Sequence, residues 1–215
     1  MKKEDEIILV VSRKKLFNDE ALTFQGVTSD KSLVADIMLN IDKYYKSMRR
    51  GSVNEVDVPV SRNAELNFDY KQPIPYIVIR RGDEYFVTQR LEGGGESRLH
   101  GKLSMGAGGH MNPLEKDFYA FKIVLAENTA RELEEELDIT GEIKIDTIGL
   151  INDDSEEVSR VHIGILGVID LEDADEVAVR ETEQLAGSWY TLDQLRDKEV
   201  YDRLENWGKI VVDMM

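Results

Sequence analysis

The chain has 215 residues, a formal net charge of −16, 41% hydrophobic and 33% charged residues, and no cysteine. That length suits one moderately large domain, or a domain with a small extension, able to bury a core without disulfide staples. The missing cysteine excludes disulfides, thiolate metal sites and cysteine nucleophiles; the acidic balance argues against nucleic-acid polymers and anionic membranes as partners, but not against small phosphate ligands.

Residues 7–11, Ile-Ile-Leu-Val-Val, are short and mostly β-branched and read as a first buried strand. They are too few to cross a membrane and no small-residue cleavage site follows, so cytoplasmic residence is expected. Leu33, Ile37, Ile41 and Tyr44 or Tyr45 recur at helical spacing behind a cap at Asp30 or Ser32, and this helix is expected to end near Arg50-Gly51. Residues 52–72 read as an irregular connection. Residues 74–80 and 84–91 form a hairpin pattern turning at Arg81-Gly82-Asp83. After the loop Gly93-Gly94-Gly95 comes a glycine-rich segment at 103–111, then a long helix over about 118–137. Strands are expected at 143–151 and 158–169, joined by an acidic loop at 152–157. Ser188-Trp189-Tyr190 follows, then a helix capped by Thr191 and a last helix over 200–214. Strands on both sides of one long helix, with more helices at each end, indicate a mixed α/β (α+β) protein. Residues 1–70 read as an N-terminal extension of a strand plus a helix, and 71–215 as the main domain with its C-terminal helix.

The long helix carries the chemistry. With Glu132 at the zero of a helical wheel, Glu136 falls near about 40° and Glu135 near about 300°, while Glu134 points away near about 200°. Ala126, Ala130, Leu133 and Leu137 group at about 100–160° and read as the apolar stripe that faces the core. Like charges at these spacings repel, and a hard cation with a need for oxygen ligands turns that repulsion into binding. A glutamate run by itself is more often a solvated face. Gly106-Ala107-Gly108-Gly109-His110 lies upstream, and glycines there let the backbone approach a metal-phosphate complex.

Together these segments resemble the Nudix (MutT-like) hydrolase signature, G-x5-E-x7-R-E-U-x-E-E-x-G-U with U aliphatic. Gly109 is followed after five residues by Glu115, and Arg131-Glu132-Leu133-Glu134-Glu135-Glu136-Leu137-Asp138-Ile139 matches the second half. There are two departures. Fifteen residues separate Glu115 from Arg131, an insertion that falls at 116–126, and Asp138 stands where the signature has glycine; aspartate can also occupy a left-handed helix end, though less easily than glycine. Residues 85–90, 103–110 and 188–195 are similar to the family's flanking segments, so the resemblance covers about residues 73–197.

The resemblance implies a Nudix-type α/β/α sandwich with a mixed sheet and a divalent cation, Mg²⁺ or Mn²⁺, held by Glu132, Glu135 and Glu136 with the carbonyl of Gly109. The cation would neutralise a bridging diphosphate and activate the attacking water. Glu135 or Glu132 would act as base, with Glu156 and Glu157 as later-loop alternatives, and Arg131 would orient a box glutamate. Arg90, Arg98, Lys102 and His110, with His100 among them, would meet substrate phosphate, Arg90 foremost. The implied activity is hydrolysis of a diphosphate linkage in a nucleoside diphosphate derivative or similar small metabolite. The insertion and the extension would shape substrate choice or form a homodimer interface. Isopentenyl diphosphate isomerase chemistry, which shares the fold, needs a cysteine that this chain lacks. The other readings are a non-catalytic Nudix-like ligand-sensing or regulatory domain, and a metal-independent interaction protein.

Overall fold

The computed structural model describes residues 2–91, 101–115, 119–180 and 182–215. The Gly93-Gly94-Gly95 loop, Arg98 and His100 lie outside the described residues. The chain begins with β1 (Ile7–Ser12), a single-turn helix α1 (Arg13–Leu16) and a short β2 (Gly26–Thr28), followed by α2 (Lys31–Tyr44) and β3 (Lys46–Arg49). Then come β4 (Tyr70–Arg81), β5 (Glu84–Arg90), β6 (Leu103–Ser104) and β7 (Gly106–Ala107), and after them the acidic helix α3 (Phe121–Glu136). It runs directly into β8 (Leu137–Ile139), with β9 (Ile145–Asn152), α4 (Glu157–Arg160), β10 (His162–Leu171), β11 (Val177–Val179) and β12 (Leu185–Thr191) beyond. Helices α5 (Leu192–Arg196), α6 (Lys198–Tyr201) and α7 (Asn206–Met214) close the chain. The architecture is a mixed sheet with helices, an α+β fold. Among the described residues no helix is long and apolar enough to cross a membrane.

Contacts group the residues into two units, one of 1–75, 109–129 and 149–165 and another of 76–108, 130–148 and 166–215. This division runs differently from the boundary expected near residue 70. In the first unit β1 is buried on both faces and pairs antiparallel with β3, Ile8 opposite Met48, and with β4, Val11 opposite Lys71. Leu9, Val11, Phe17, Ile37, Ile41 and Phe121 share its main core. The edge strand β2 pairs with β9, Val27 opposite Ile151. In the second unit β5 lies between β12 and β4, with Trp189 opposite Phe86 and Arg80 opposite Tyr85. Its core gathers Ile77, Ile79, Phe86, Leu133, Leu137 and Ile169.

Two expectations are corrected, the first by strand pairing. The helix capped by Asp30, whose carboxylate accepts from the Leu33 N–H at 2.8 Å, ends at Tyr44 and not near Gly51. Residues 46–49 extend instead as β3, because an apolar central strand such as β1 leaves backbone donors and acceptors that need a partner. The last helical stretch divides into α6 and α7. The Arg81-Gly82-Asp83 turn is present, with Gly82 at φ +59°, a conformation that glycine adopts without strain.

Candidate active site

Helix α3 is fixed at its start by groups from the first unit. Asp42, in the last turn of α2, accepts from the Phe121 N–H at 2.6 Å, which satisfies an orphan donor at the positive end of the helix. The Tyr45 hydroxyl donates to the Tyr119 carbonyl at 2.7 Å, and the Tyr45 and Phe121 rings lie 5.7 Å apart. Two turns on, Asn128 and Asn112 bond reciprocally: Asn112 N–H to Asn128 Oδ1 at 2.8 Å and Asn128 Nδ2 to the Asn112 carbonyl at 3.0 Å. From Phe121 onward the residues that precede Arg131 are helical.

The apolar stripe differs from the expected one. Ala126 and Ala130 are exposed, and the buried positions are Phe121, Val124, Asn128, Thr129 and Leu133. Alanine is a weak marker of a core face, whereas Phe121 and Val124 bring larger apolar surfaces and Asn128 is buried with its hydrogen bonds made. On the same wheel Phe121, Val124 and Asn128 fall at about 280–340°, within the arc that also holds Glu135 and Glu132. Among the acids, burial distinguishes Glu132 and Glu136, which are partly buried, from Glu134 and Glu135, which are exposed. Glu132 keeps only 12% of its side chain exposed, Glu135 keeps 59%, and Glu134 on the far side is exposed.

Arg131 draws two of the acids together. Its Nη2 lies 2.6 Å from Glu132 Oε1 and its Nη1 3.2 Å from Glu135 Oε1. Burial works against the Arg131 charge, but the field of Glu132 and the bonds to Glu135 and Glu132 raise its pKa above the ordinary value. One guanidinium so relieves the repulsion of neighbouring carboxylates. Among the described residues no three histidine or acidic side chains are gathered so as to hold a metal ion. What the structure assembles is a pair of carboxylates on a shared cation, with Glu136 at the next position of the same arc.

The other expected site residues divide between the units. Arg90, at the end of β5, has its Nε 3.3 Å from Glu205 Oε1, and Lys102 Nζ lies 3.4 Å from the Asp202 carbonyl. Both belong to the second unit, as do Glu132, Glu135 and Glu136; Gly109 and His110 belong to the first. His110 Nε2 sits 3.5 Å from Glu65 Oε1 and 3.4 Å from His162 Nε2. Burial pushes the His110 pKa down and that of His162 to about 4, so both rings are neutral near pH 7. Glu65 is the charged member: burial alone would raise it, but the histidines and Arg50 hold its carboxyl at about 2. Glu156 and Glu157 are exposed at the start of α4, a short helix where a polar turn was expected.

Asp138 is a further correction. Positive φ among non-glycine residues is confined, within the described chain, to Asn18, Asp19 and Glu20, so Asp138 takes no left-handed helix end. It lies in β8 opposite Ala178 of β11. A left-handed conformation costs a non-glycine residue about 1–2 kcal/mol, and strand pairing avoids that cost.

Several polar residues that matter here gave no sequence signal. Lys71 is fully buried in β4, with Nζ 2.8 Å from Asp154 Oδ1, and Arg13 reaches both oxygens of that carboxylate at 2.9 Å. Burial lowers the Lys71 pKa while Asp154 pulls it back; burial would raise Asp154, but Arg13 and Lys71 hold it at about 2. Arg13 also binds Glu20 at 2.8 Å, tying the left-handed Asn18-Asp19-Glu20 turn to this pair. A lysine beside Gln-Pro in a strand and an aspartate in an acidic loop look like surface residues until the fold is known.

No family model matches the chain. Protein YmaB of Bacillus subtilis (strain 168) is 51% identical over 217 residues, spanning 100% of both chains. Among solved structures, Tm1382, described as a candidate Nudix hydrolase, is 27% identical and covers 97% of each chain with a TM-score of 0.72. A MutT Nudix hydrolase from Burkholderia pseudomallei covers 66% of this chain and 96% of its own, at 18% identity and a TM-score of 0.48.

Proposed function

We propose that the chain is a Nudix pyrophosphohydrolase, as its likeness to Tm1382 over 97% of its length supports, and that it hydrolyses a diphosphate linkage in a nucleoside diphosphate derivative or similar small metabolite, with Mg²⁺ or Mn²⁺. The observation that supports this reading most is that Glu132 and Glu135, three positions apart on α3, are both drawn to the Arg131 guanidinium. The donors are of a suitable kind: Glu132, Glu135 and Glu136, all in the second unit, offer only oxygen, which a hard divalent ion requires, and the chain has no thiolate. When bound, the ion would neutralise the diphosphate and lower the pKa of its water.

The remaining work falls to the chain. Glu132, nearly enclosed and bonded to Arg131, is suited to remain a charged ligand. Glu135 is more open and is the better candidate to take the proton of the attacking water. Arg131 positions both. Arg90 and Lys102 would bind substrate phosphate, Arg90 exchanging Glu205 for the ligand, with Arg98 as a third cation. His110, neutral and engaged with Glu65 and His162, would support the backbone beside Gly109 more than it would neutralise phosphate. One observation favours a ligand-sensing reading instead: Arg131 already engages the two carboxylates. The test is release of phosphate or nucleoside monophosphate from nucleotide sugars, dinucleoside polyphosphates, NADH and nucleoside triphosphates with either metal. Metal-dependent turnover supports hydrolysis; binding of a nucleotide with no turnover of any substrate supports sensing.

A further inference from the structure

How the acidic helix stops decides how Glu136 is held. The last carbonyls of a helix have no partners within it and must find them elsewhere. Here Arg180, the residue that follows β11, takes them. Its N–H donates to the Glu136 carbonyl at 2.8 Å and its Nε to the Leu137 carbonyl at 2.8 Å, while Nη2 lies 3.2 Å from Asp138 Oδ1. A cation at this end also suits the helix dipole. Around it β8 and β11 pair antiparallel, Leu137 opposite Val179 and Ile139 opposite Val177. The ribbon closes with Thr140 N–H to the Glu176 carbonyl at 3.0 Å and Glu176 N–H to Thr140 Oγ1 at 2.7 Å. Helix α3 is thus stitched at its final residue to a strand about forty positions further along the chain.

We infer that Arg180 is a positioning residue for the metal-binding carboxylates, acting through the main chain of Glu136 and Leu137. The inference rests on the reading that Glu132, Glu135 and Glu136 hold a divalent cation. The ion pair with Asp138 is not what carries it, since both side chains are largely exposed and such pairs contribute little. The bonds to consecutive carbonyls do, and of these the side-chain bond to Leu137 is the one Arg180→Ala removes, the main-chain bond to Glu136 being kept. They set the direction in which the last turn presents Glu136, and a ligand at a frayed helix end would have to be ordered each time the ion bound.

The experiment is Mn²⁺ binding to the full chain, followed by the electron paramagnetic resonance signal of the free ion, with thermal unfolding measured in parallel. Arg180→Ala should weaken Mn²⁺ binding about tenfold, the lower end of what partners of metal ligands contribute. Arg180→Lys should recover part of the loss, since it keeps the charge and one donor; it also provides the comparison if the alanine variant does not fold. In a Glu136→Gln background, Arg180→Ala should change binding by less than about twofold, because the carboxylate it serves has gone. Arg180 variants that bind Mn²⁺ as the native chain does, whatever their melting temperature, would overturn the inference alone. Losses that multiply fully in the double variant would overturn it too. A native chain that binds no Mn²⁺ would overturn the underlying reading and this inference with it.

Discussion

Removing the Asp154 carboxylate is the sharpest perturbation of the first unit. Lys71 is 0% exposed and its ammonium lies 2.8 Å from Asp154, so Asp154→Ala leaves a buried positive charge without the partner that offsets its desolvation. Breaking a buried pair from one side costs about 3–5 kcal/mol. The buried Asp153 also attracts Lys71, and Arg13 keeps Glu20, which places the expected loss near about 3 kcal/mol at pH 7. The sign of the pH dependence follows. Burial already lowers the Lys71 pKa, and without Asp154 it falls further below that of the unfolded chain, about 10.4. The unfolded variant then binds more protons than the folded one, so its stability rises with pH and the deficit against the native chain shrinks towards pH 10. Urea unfolding at pH 7 and 9.5 measures both effects, and the double variant Asp154→Ala/Lys71→Met should regain most of the loss. A deficit under about 1 kcal/mol at pH 7, unchanged at pH 9.5, would refute the argument that Lys71 is held as a buried cation.

The other expectations can be measured alongside it. Burial puts the folded-state pKa of His162 at about 4 against about 6.5 when unfolded, so the unfolded chain takes up that proton first. Stability should therefore fall as pH drops from about 6.5 to 4.5, above the range in which Glu65 and Asp154 titrate, and His162→Gln should flatten that part of the curve. A native urea midpoint equal at pH 7 and 5 would contradict this. Asp42→Ala removes the acceptor at the start of α3 and should cost about 1 kcal/mol by the same assay, with an unchanged midpoint as the opposing result.

Local chemistry was legible in the sequence where one segment contains its own instructions. Asp30 caps α2, Gly82 turns the β4–β5 hairpin, and Thr191 with Gln194 forms a reciprocal capping box at α5. The arc of Glu132, Glu135 and Glu136 is of the same kind, since helical period alone decides which residues share a side. What stayed hidden depends on distant partners. Lys46–Arg49 is a strand only because β1 lies beside it. Leu137–Ile139 leaves the helix to pair with Val177–Val179, and nothing near Asp138 announces Arg180. The buried face of α3 was misread because Asn128 and Thr129, polar in sequence, are buried with Phe121 and Val124, while Ala126 and Ala130 are not. Lys71 and Asp154 would each pass for surface charges, and only their pairing across the fold allows the lysine to be enclosed.

The central claim is that the acids drawn together on α3 support metal-dependent hydrolysis with Glu135 taking the proton. Its most direct test compares native chain and Glu135→Gln on the best substrate found, at saturating Mg²⁺ or Mn²⁺. The account expects kcat to fall by about 10²–10⁴-fold, the usual contribution of a general base, with the fold intact by thermal unfolding. Turnover retained within about threefold would contradict that role and move the proton acceptor to Glu132, Glu156 or Glu157.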